Sequence, residues 1–148
     1  MDREQAQHHR HRGERAGKTW ISNALGVAAC NAFYTVRYTR LPELLDELTV
    51  FKDEEWLKQR KKYIKCDLLI IDDLGTELTN SFVSSQLFLC INERIMRRKS
   101  TIISTNLKLE NFSDTYSERT FSRIASNYRM VKLEGKDIRI QKIFLGGK

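Results

Sequence analysis

The sequence predicts an α/β fold in which helices cover a parallel sheet. Short apolar runs alternate along the chain with longer stretches of helical periodicity, which is typical of a parallel, doubly wound sheet. One run, Leu68–Ile71, has four aliphatic residues in a row, which suits a central strand covered on both faces. A length of 148 residues with 41% apolar residues fits one domain with a real core.

The predicted elements follow one another in a regular order. Before the central strand we expect a helix over Trp20–Asn31, a strand over Phe33–Tyr38, a helix with Pro42 in its first turn, and a charged surface helix over residues 52–65. After it we expect a helix from about Thr79 to Arg98, a strand over Ser100–Thr105, a helix over Glu118–Asn127 and a strand over Met130–Leu133.

Two acids, Asp72 and Asp73, end the central strand, at the sheet edge where ligands bind in α/β proteins. An apolar strand that ends in paired acids is the Walker B arrangement, in which one acid holds Mg²⁺ and the other orients a water. The alternative is a buried strand whose acids cap a following turn.

The second informative segment is Gly17-Lys18-Thr19, which has the form of the closing half of a P-loop. In such a loop the backbone N–H groups cradle phosphate, the lysine reaches the terminal phosphates and the threonine hydroxyl ligates Mg²⁺. Gly-Lys-Thr alone is common by chance. A helical run after it and the acidic strand downstream make the combination specific for an ATP and Mg²⁺ site.

The front half of this loop departs from the pattern. Arg12 occupies the position of the first glycine, Gly13 comes one residue late, and Arg15 disfavours close approach of the backbone to phosphate. Residues 1–16 contain no apolar strand, so we expect a polar, disordered segment and a sheet that lacks the usual first strand.

Composition bounds the function further. The net charge of +7 permits contact with nucleic acid. The histidines at 8, 9 and 11 fit a polar tail better than a metal site, and Cys30, Cys66 and Cys90 are predicted to be small buried residues in a reducing cytoplasm. The chain has no apolar run near 18 residues and no signal-peptide pattern, so we expect a soluble cytoplasmic protein without a membrane partner.

Downstream polar residues are further candidates. Asn106 ends the strand that follows the acidic strand, and its amide could position a water or touch a phosphate; it could also simply begin a turn. Arg119 and Arg123 share one helix face, where either could reach a neighbouring subunit's nucleotide or pair locally with Glu118. Arg139 could contact phosphate from the C-terminal side or have no such role.

In their order and their amino-acid sequences these motifs resemble those of the DnaC/DnaI/IstB family of AAA+ ATPases, which are replicative-helicase loaders or transposase helpers. The matching segments are Gly17–Thr19, Asp67–Glu77, Ser100–Leu107, Tyr116–Ile124 and Gly135–Arg139. The resemblance covers residues 17–142, which we take as an AAA+ core that is incomplete at its N-terminal end. Residues 143–148 are then a C-terminal tail.

The resemblance implies a role for each matching residue. The phosphate loop would be formed by Gly13, Gly17, Lys18 and Thr19, and Mg²⁺ would be held by Thr19 and Asp72. Asp73 would polarise water and Asn106 would be sensor 1. The arginine finger would be Arg123, with Arg119 as the alternative, and Arg139 would be sensor 2. It also implies a homo-oligomer with a shared ATP site and binding of single-stranded DNA. Residues 58–65 and 94–99 are the basic candidates for that binding, and the alternative for each is a solvated helix face.

Three functions follow from the resemblance. The first is an ATPase that loads or remodels the replicative DNA helicase on single-stranded DNA. The second is an IstB-like ATPase that helps a transposase. The third is a non-enzymatic remnant, since the chain begins almost at the P-loop and could be a truncated or frame-shifted copy.

Overall fold

The computed structural model describes residues 17–40, 43–44, 54–74, 81–133 and 141–146. Its helices are α1 (Gly17–Asn31), α2 (Glu54–Lys65), α3 (Ser81–Met96), α4 (Leu109–Tyr116) and α5 (Glu118–Asn127). Its strands are β1 (Val36–Arg40), β2 (Leu68–Leu74), β3 (Ser100–Thr105), β4 (Tyr128–Leu133) and β5 (Gln141–Gly146). Gly13, Arg139 and most of the helix expected after Pro42 lie outside the described residues, so the predictions for them stay predictions.

The strands form one sheet in the order β1-β2-β3-β5-β4. The first three are parallel, as the sequence predicts, with Leu68 of β2 opposite Val36 and Ser100. The other two strands add an antiparallel part to this sheet: β4 and β5 pair antiparallel with each other, and β5 also pairs antiparallel with β3. Residues 134–140 alone connect β4 to β5, and a parallel crossover needs about a dozen residues or more.

Three local differences from the sequence prediction have physical causes. Strand β1 begins at Val36 and not at Phe33, because Phe33 has a positive φ of 66° that no strand accommodates. Helix α4 was not predicted; it is short and polar, and burial of Phe112 and Tyr116 supports it. Strand β5 includes residues 143–146, which the sequence led us to assign to a tail; its position depends on pairing with β3.

The two faces of the sheet are covered differently. One face carries the larger apolar cluster, in which Leu69, Ile71 and Ile103 pack with buried residues of α3, α4 and α5. The other face carries a small cluster around Ile70 and Ile102, over which α1 lies. A Cβ on Gly26 would lie 3.0 Å from Cδ1 of Ile70, so glycine there lets α1 approach the sheet closely.

A buried arginine joins the elements at the amino end of the sheet. The Arg94 side chain is fully buried, and its guanidinium donates to the backbone oxygens of Tyr63 (2.7 Å), Cys66 (3.0 Å) and Ser100 (2.5 Å). Its Nε also donates to Oγ1 of Thr101 at 2.9 Å. Arg94 therefore ties the end of α2 to the start of β3, and it is unavailable to DNA, contrary to its inclusion in the basic segment 94–99.

The cysteine prediction is right for two residues and wrong for one. Cys66 and Cys90 are buried, whereas Cys30, in the last turn of α1, is exposed. Among the helices described, none is both long enough and apolar enough to cross a membrane.

Candidate nucleotide site

The start of α1 lies against the carboxyl ends of β2 and β3. Nζ of Lys18 donates to Oδ1 of Asn106 at 2.6 Å, and Oγ1 of Thr19 donates to Oδ2 of Asp72 at 3.0 Å. Lys18 and Asp72 are each only 1% exposed, although their side chains are charged. The fold thus brings together residues that are far apart in the sequence and that the sequence analysis assigned to one ATP site.

Asp72 is held by hydroxyl groups from three elements. Its Oδ2 accepts from Thr19 and, at 2.5 Å, from the hydroxyl of Tyr38, while its Oδ1 accepts from Oγ of Ser104. Tyr38 lies on β1 opposite Ile70, and side chains two residues apart along a strand share a face. Tyr38, Asp72 and Ser104 therefore all lie on the face that α1 covers.

A second set of hydrogen bonds fixes the chain around Asn106. The buried Oγ1 of Thr105 donates to the backbone oxygen of Leu74 at 2.6 Å and accepts from the N–H of Leu107 at 3.0 Å. Thr105 thus ties the end of β2 to the backbone on either side of Asn106. The Asn106 amide is exposed at this edge, with its oxygen directed to Lys18.

The donor set fits magnesium and phosphate. Mg²⁺ prefers hard oxygen ligands and is usually held by one or two carboxylates together with water and substrate phosphates. Asp72 and Thr19 supply a carboxylate and a hydroxyl in contact with each other, and Lys18 supplies a cation at the first turn of a 15-residue helix. The N-terminus of such a helix favours anions, so the geometry suits a Mg²⁺–nucleotide phosphate.

The structure places the other predicted residues less completely. Gly17 is the first residue of α1, and Asp73 lies in β2 beside Asp72, but the Asp73 side chain is outside the described part. On α5, both Arg119 and Arg123 are exposed, and the Arg119 guanidinium carbon lies 3.9 Å from the ring centroid of Phe88.

Sequence reasoning missed Tyr38, Ser104 and Thr105. Ser104 could have been found from the strand pattern, because a residue two positions before Asn106 lies at the same edge as Asp72. Tyr38 could not, since its position opposite Ile70 depends on the strand register.

Comparison with known proteins identifies relatives of this chain. The family described as IstB-like ATP binding protein matches residues 12–143. The insertion sequence ATP-binding protein y4pL of Sinorhizobium fredii is 30% identical over 129 residues, which are 83% of this chain and 52% of that protein. The ATP-binding protein of insertion sequence IS232 from Bacillus thuringiensis is 27% identical over 134 residues, 86% of this chain and 53% of that protein.

Solved structures with the same fold include two of the replication initiator DnaA. One, bound to AMPPCP and single-stranded DNA, superposes with a TM-score of 0.64 at 24% identity over 72% of this chain and 34% of that chain. The AMPPCP-bound DnaA from Aquifex aeolicus gives a TM-score of 0.61 at 24% identity over 74% of this chain and 35% of that chain. These matches confirm the AAA+ type of P-loop fold.

This chain spans about half the length of the curated relatives it matches. The family match nevertheless extends from the P-loop region through both strands that carry the site, and it confirms the resemblance stated above. The chain belongs to the IstB-like ATP binding protein family.

Proposed function

We propose that this chain binds Mg²⁺-ATP between α1 and the ends of β2 and β3, and that it hydrolyses ATP as the helper of a transposase. The observation that carries the ATP site is the pair of contacts Lys18–Asn106 and Thr19–Asp72. The transposase is supported by relatives whose names assign them to insertion sequences.

Each side chain has a distinct task in the proposed reaction. Lys18 neutralises the terminal phosphates, and Asp72 with Thr19 holds Mg²⁺, which supplies positive charge against the phosphate oxygens. Asn106, released from Lys18 when nucleotide arrives, directs its amide to the γ-phosphate or the attacking water. Asp73 accepts a hydrogen bond from that water and orients it for in-line attack.

The transposase is preferred over the replicative helicase as the partner. Helicase loading was the first function expected from the sequence, but relatives assigned to insertion sequences support the alternative better. The DnaA structures support only the fold, because their identity to this chain is 24%.

We also infer that the site is completed by a second subunit. Arg123 is exposed on α5, and a guanidinium that enters a neighbour's site would stabilise charge on the transferred phosphate. Arg123→Ala should therefore lower turnover by about 10³-fold while leaving ATP binding intact. Arg119→Ala, which removes the stacking on Phe88, is the matched control and should change turnover little.

Equilibrium binding of ATP tests the site itself. We expect the purified chain to bind a fluorescent ATP analogue in the presence of Mg²⁺ and to lose that binding on Lys18→Ala. Lys61→Ala, on the exposed surface of α2, should bind as the wild type does. An absence of binding at millimolar Mg²⁺-ATP would favour the non-enzymatic remnant and remove both ATPase functions.

Measurement of ATP hydrolysis tests the role of Asp73 separately from that of the neighbouring Asp72. Asp73→Asn should keep ATP binding and lose hydrolysis, because only the orientation of water is affected. Hydrolysis at the wild-type rate in this variant would show that Asp73 is not the water-polarising acid.

Partner capture distinguishes the two assemblies. A transposase from an insertion sequence and a replicative helicase should each be mixed with the chain in the presence of a non-hydrolysable ATP analogue. Co-elution with transposase alone is expected, and co-elution with helicase alone would restore helicase loading as the function.

A further inference from the structure

The acid proposed to hold Mg²⁺ accepts a hydrogen bond from a tyrosine that the proposed reaction does not use. The hydroxyl of Tyr38 donates to Oδ2 of Asp72 at 2.5 Å. Asp72 is only 1% exposed, and a buried charge is costly unless hydrogen-bond donors surround it. Tyr38 therefore helps to stabilise this carboxylate inside the fold.

The two oxygens of Asp72 face different parts of the fold. Oδ1 accepts from Oγ of Ser104, a fully buried residue of β3. Oδ2 accepts from Oγ1 of Thr19, in the first turn of α1, at 3.0 Å, as well as from Tyr38. Because Thr19 is the other residue proposed to hold Mg²⁺, a cation held by both residues contacts Oδ2.

Both places for a partner at Oδ2 are taken. A carboxylate oxygen offers about two lone-pair positions, and Thr19 and Tyr38 occupy them. Binding of Mg²⁺ at this oxygen therefore requires that one of the two hydrogen bonds be given up. Thr19 can keep its bond and direct its own lone pair to the cation, because a hydroxyl donates and accepts at once. Tyr38 is then the donor that leaves.

The position of Tyr38 permits this exchange. Tyr38 lies on β1, at the edge of the sheet that the structure describes, and it is 44% exposed. Its hydroxyl can exchange Asp72 for water by a rotation of the side chain. Ser104, by contrast, is fully buried on β3, between β2 and β5, so its bond to Oδ1 is retained and keeps the carboxylate oriented.

We propose that Tyr38 competes with Mg²⁺ for Asp72. Its hydroxyl stabilises the buried carboxylate when the cation is not bound, and it turns to water when Asp72 and Thr19 hold Mg²⁺. Tyr38 contacts neither nucleotide nor metal and acts only through Asp72. It thereby weakens the binding of Mg²⁺-ATP and favours release of the nucleotide. This inference rests on the proposed ATP site and adds a residue that sets its affinity.

Competition has a thermodynamic signature that a purely structural role lacks. Removal of the Tyr38 hydroxyl destabilises only the protein without Mg²⁺, because only that form has the hydrogen bond. The affinity for Mg²⁺-ATP must therefore rise by the factor by which the folding equilibrium of the ligand-free protein falls. A hydrogen bond to a charged group corresponds to about ten-fold or more in an equilibrium constant. Water beside the half-exposed ring replaces part of it, so we expect about five-fold.

Tyr38→Phe tests the proposal, since it removes the hydroxyl and keeps the ring. Calorimetric titration of ATP in excess Mg²⁺ should give a dissociation constant about five-fold lower than that of the wild type, and titration in EDTA should show no difference. The melting temperature should fall by about 3 °C in EDTA. In saturating Mg²⁺-ATP it should equal that of the wild type, because the gain in binding offsets the loss in stability.

Two control variants distinguish competition from other roles of a hydroxyl. Tyr34→Phe removes the same group from an exposed tyrosine that precedes β1, and it should change neither the affinity nor the melting temperature. Ser104→Ala removes the donor to the other oxygen of Asp72. It should weaken Mg²⁺-dependent binding about ten-fold, because the carboxylate loses its orientation. The proposal thus requires effects of opposite sign from Tyr38→Phe and Ser104→Ala.

Two results with Tyr38→Phe would overturn the proposal. Unchanged affinity, with a melting temperature lowered equally in EDTA and in Mg²⁺-ATP, would make Tyr38 a structural residue. Weaker binding would show that Tyr38 orients Asp72 toward the cation and does not compete with it. Failure of the wild type to bind Mg²⁺-ATP is a different result, which would contradict the proposed function itself and, with it, this inference.

Discussion

The two ends of the sheet each bury a charged side chain, but they satisfy it with different groups. At the amino end, Arg94 donates chiefly to backbone oxygens of Tyr63, Cys66 and Ser100. At the carboxyl end, Asp72 accepts from the hydroxyls of side chains, among them Thr19 and Tyr38. Both charges are almost completely removed from solvent.

The difference lies in what the partners can do without the charge. A backbone oxygen can only accept a hydrogen bond, so the oxygens around Arg94 cannot bond to one another if the guanidinium is removed. A hydroxyl both donates and accepts and can rotate, so the groups around Asp72 can turn to a new partner. We therefore regard the hydrogen bonds of Arg94 as a structural connection that holds α2 to β3. We regard Asp72 as an exchangeable site, at which the hydrogen bonds from the hydroxyl groups can be replaced by bonds to a ligand.

The largest effect is expected from Arg94→Met, which keeps the length of the side chain but removes its donors. Several buried backbone oxygens would lose their partners, at about 1–3 kcal/mol for each group left unsatisfied. We expect the free energy of unfolding to fall by about 3 kcal/mol or more, measured by urea denaturation. Arg97→Met, on the exposed surface directly after α3, should change it by less than about 0.5 kcal/mol. Equal effects of the two changes would contradict the claim that Arg94 is a structural connection between α2 and β3.

A smaller loss is expected from Thr105→Val at the carboxyl end. The change removes a buried hydroxyl that bridges Leu74 and Leu107, so about 1–3 kcal/mol of stability should be lost. Thr115→Val, which removes an exposed hydroxyl bonded to Asn111 within α4, is the control and should cost less than about 0.5 kcal/mol. Thermal melts of the two variants side by side measure the difference.

Asp72→Asn should change stability by no more than about 1 kcal/mol, because the surrounding hydroxyls can donate to the amide oxygen and accept from the amide nitrogen. The same change should abolish the dependence of ATP binding on Mg²⁺. Calorimetric titration and a thermal melt on one sample measure both. A loss of stability as large as that of Arg94→Met would show that Asp72, too, is a structural charge.

The three cysteines are expected to differ in their reactivity toward a thiol reagent. Burial raises the pKa of the Cys90 thiol to about 11 and raises that of Cys66, so both remain protonated thiols near pH 8, and only the thiolate reacts. Ellman's reagent should modify Cys30 alone in the native protein at pH 8, and all three cysteines in guanidinium chloride. Rapid modification of a second thiol in the native state would show that the core opens more readily than the structure implies.

Much of the fold follows from the sequence because local patterns and tertiary packing agree there. Strand β3 and helix α5 have the limits that the sequence predicts, and the parallel order of β1 to β3 follows from the alternation of strands and helices. Helix α4 and strand β5 could not be predicted in the same way. Their sequences are short, and burial of Phe112 and pairing with β3 support them.

In the candidate site, too, some residues could be predicted from sequence motifs and others depend on tertiary structure. Lys18, Thr19, Asp72 and Asn106 were assigned from motifs, and the structure places them in contact. Tyr38 was missed because its part depends on strand register. Arg94 belongs to a segment that the sequence marks as a basic surface candidate, but it is buried, because it bonds both to the nearby Thr101 and to the backbone of Tyr63, 31 residues away.

The most direct test of an exchangeable site at Asp72 is calorimetric titration of ATP into the purified chain with Mg²⁺ and with EDTA. We predict saturable binding with Mg²⁺, weaker binding in EDTA, and no difference between the two conditions for Asp72→Asn. Equal binding of ATP by the wild type with and without Mg²⁺, or none in either, would contradict the assignment of Asp72 as the metal-holding acid of an ATP site.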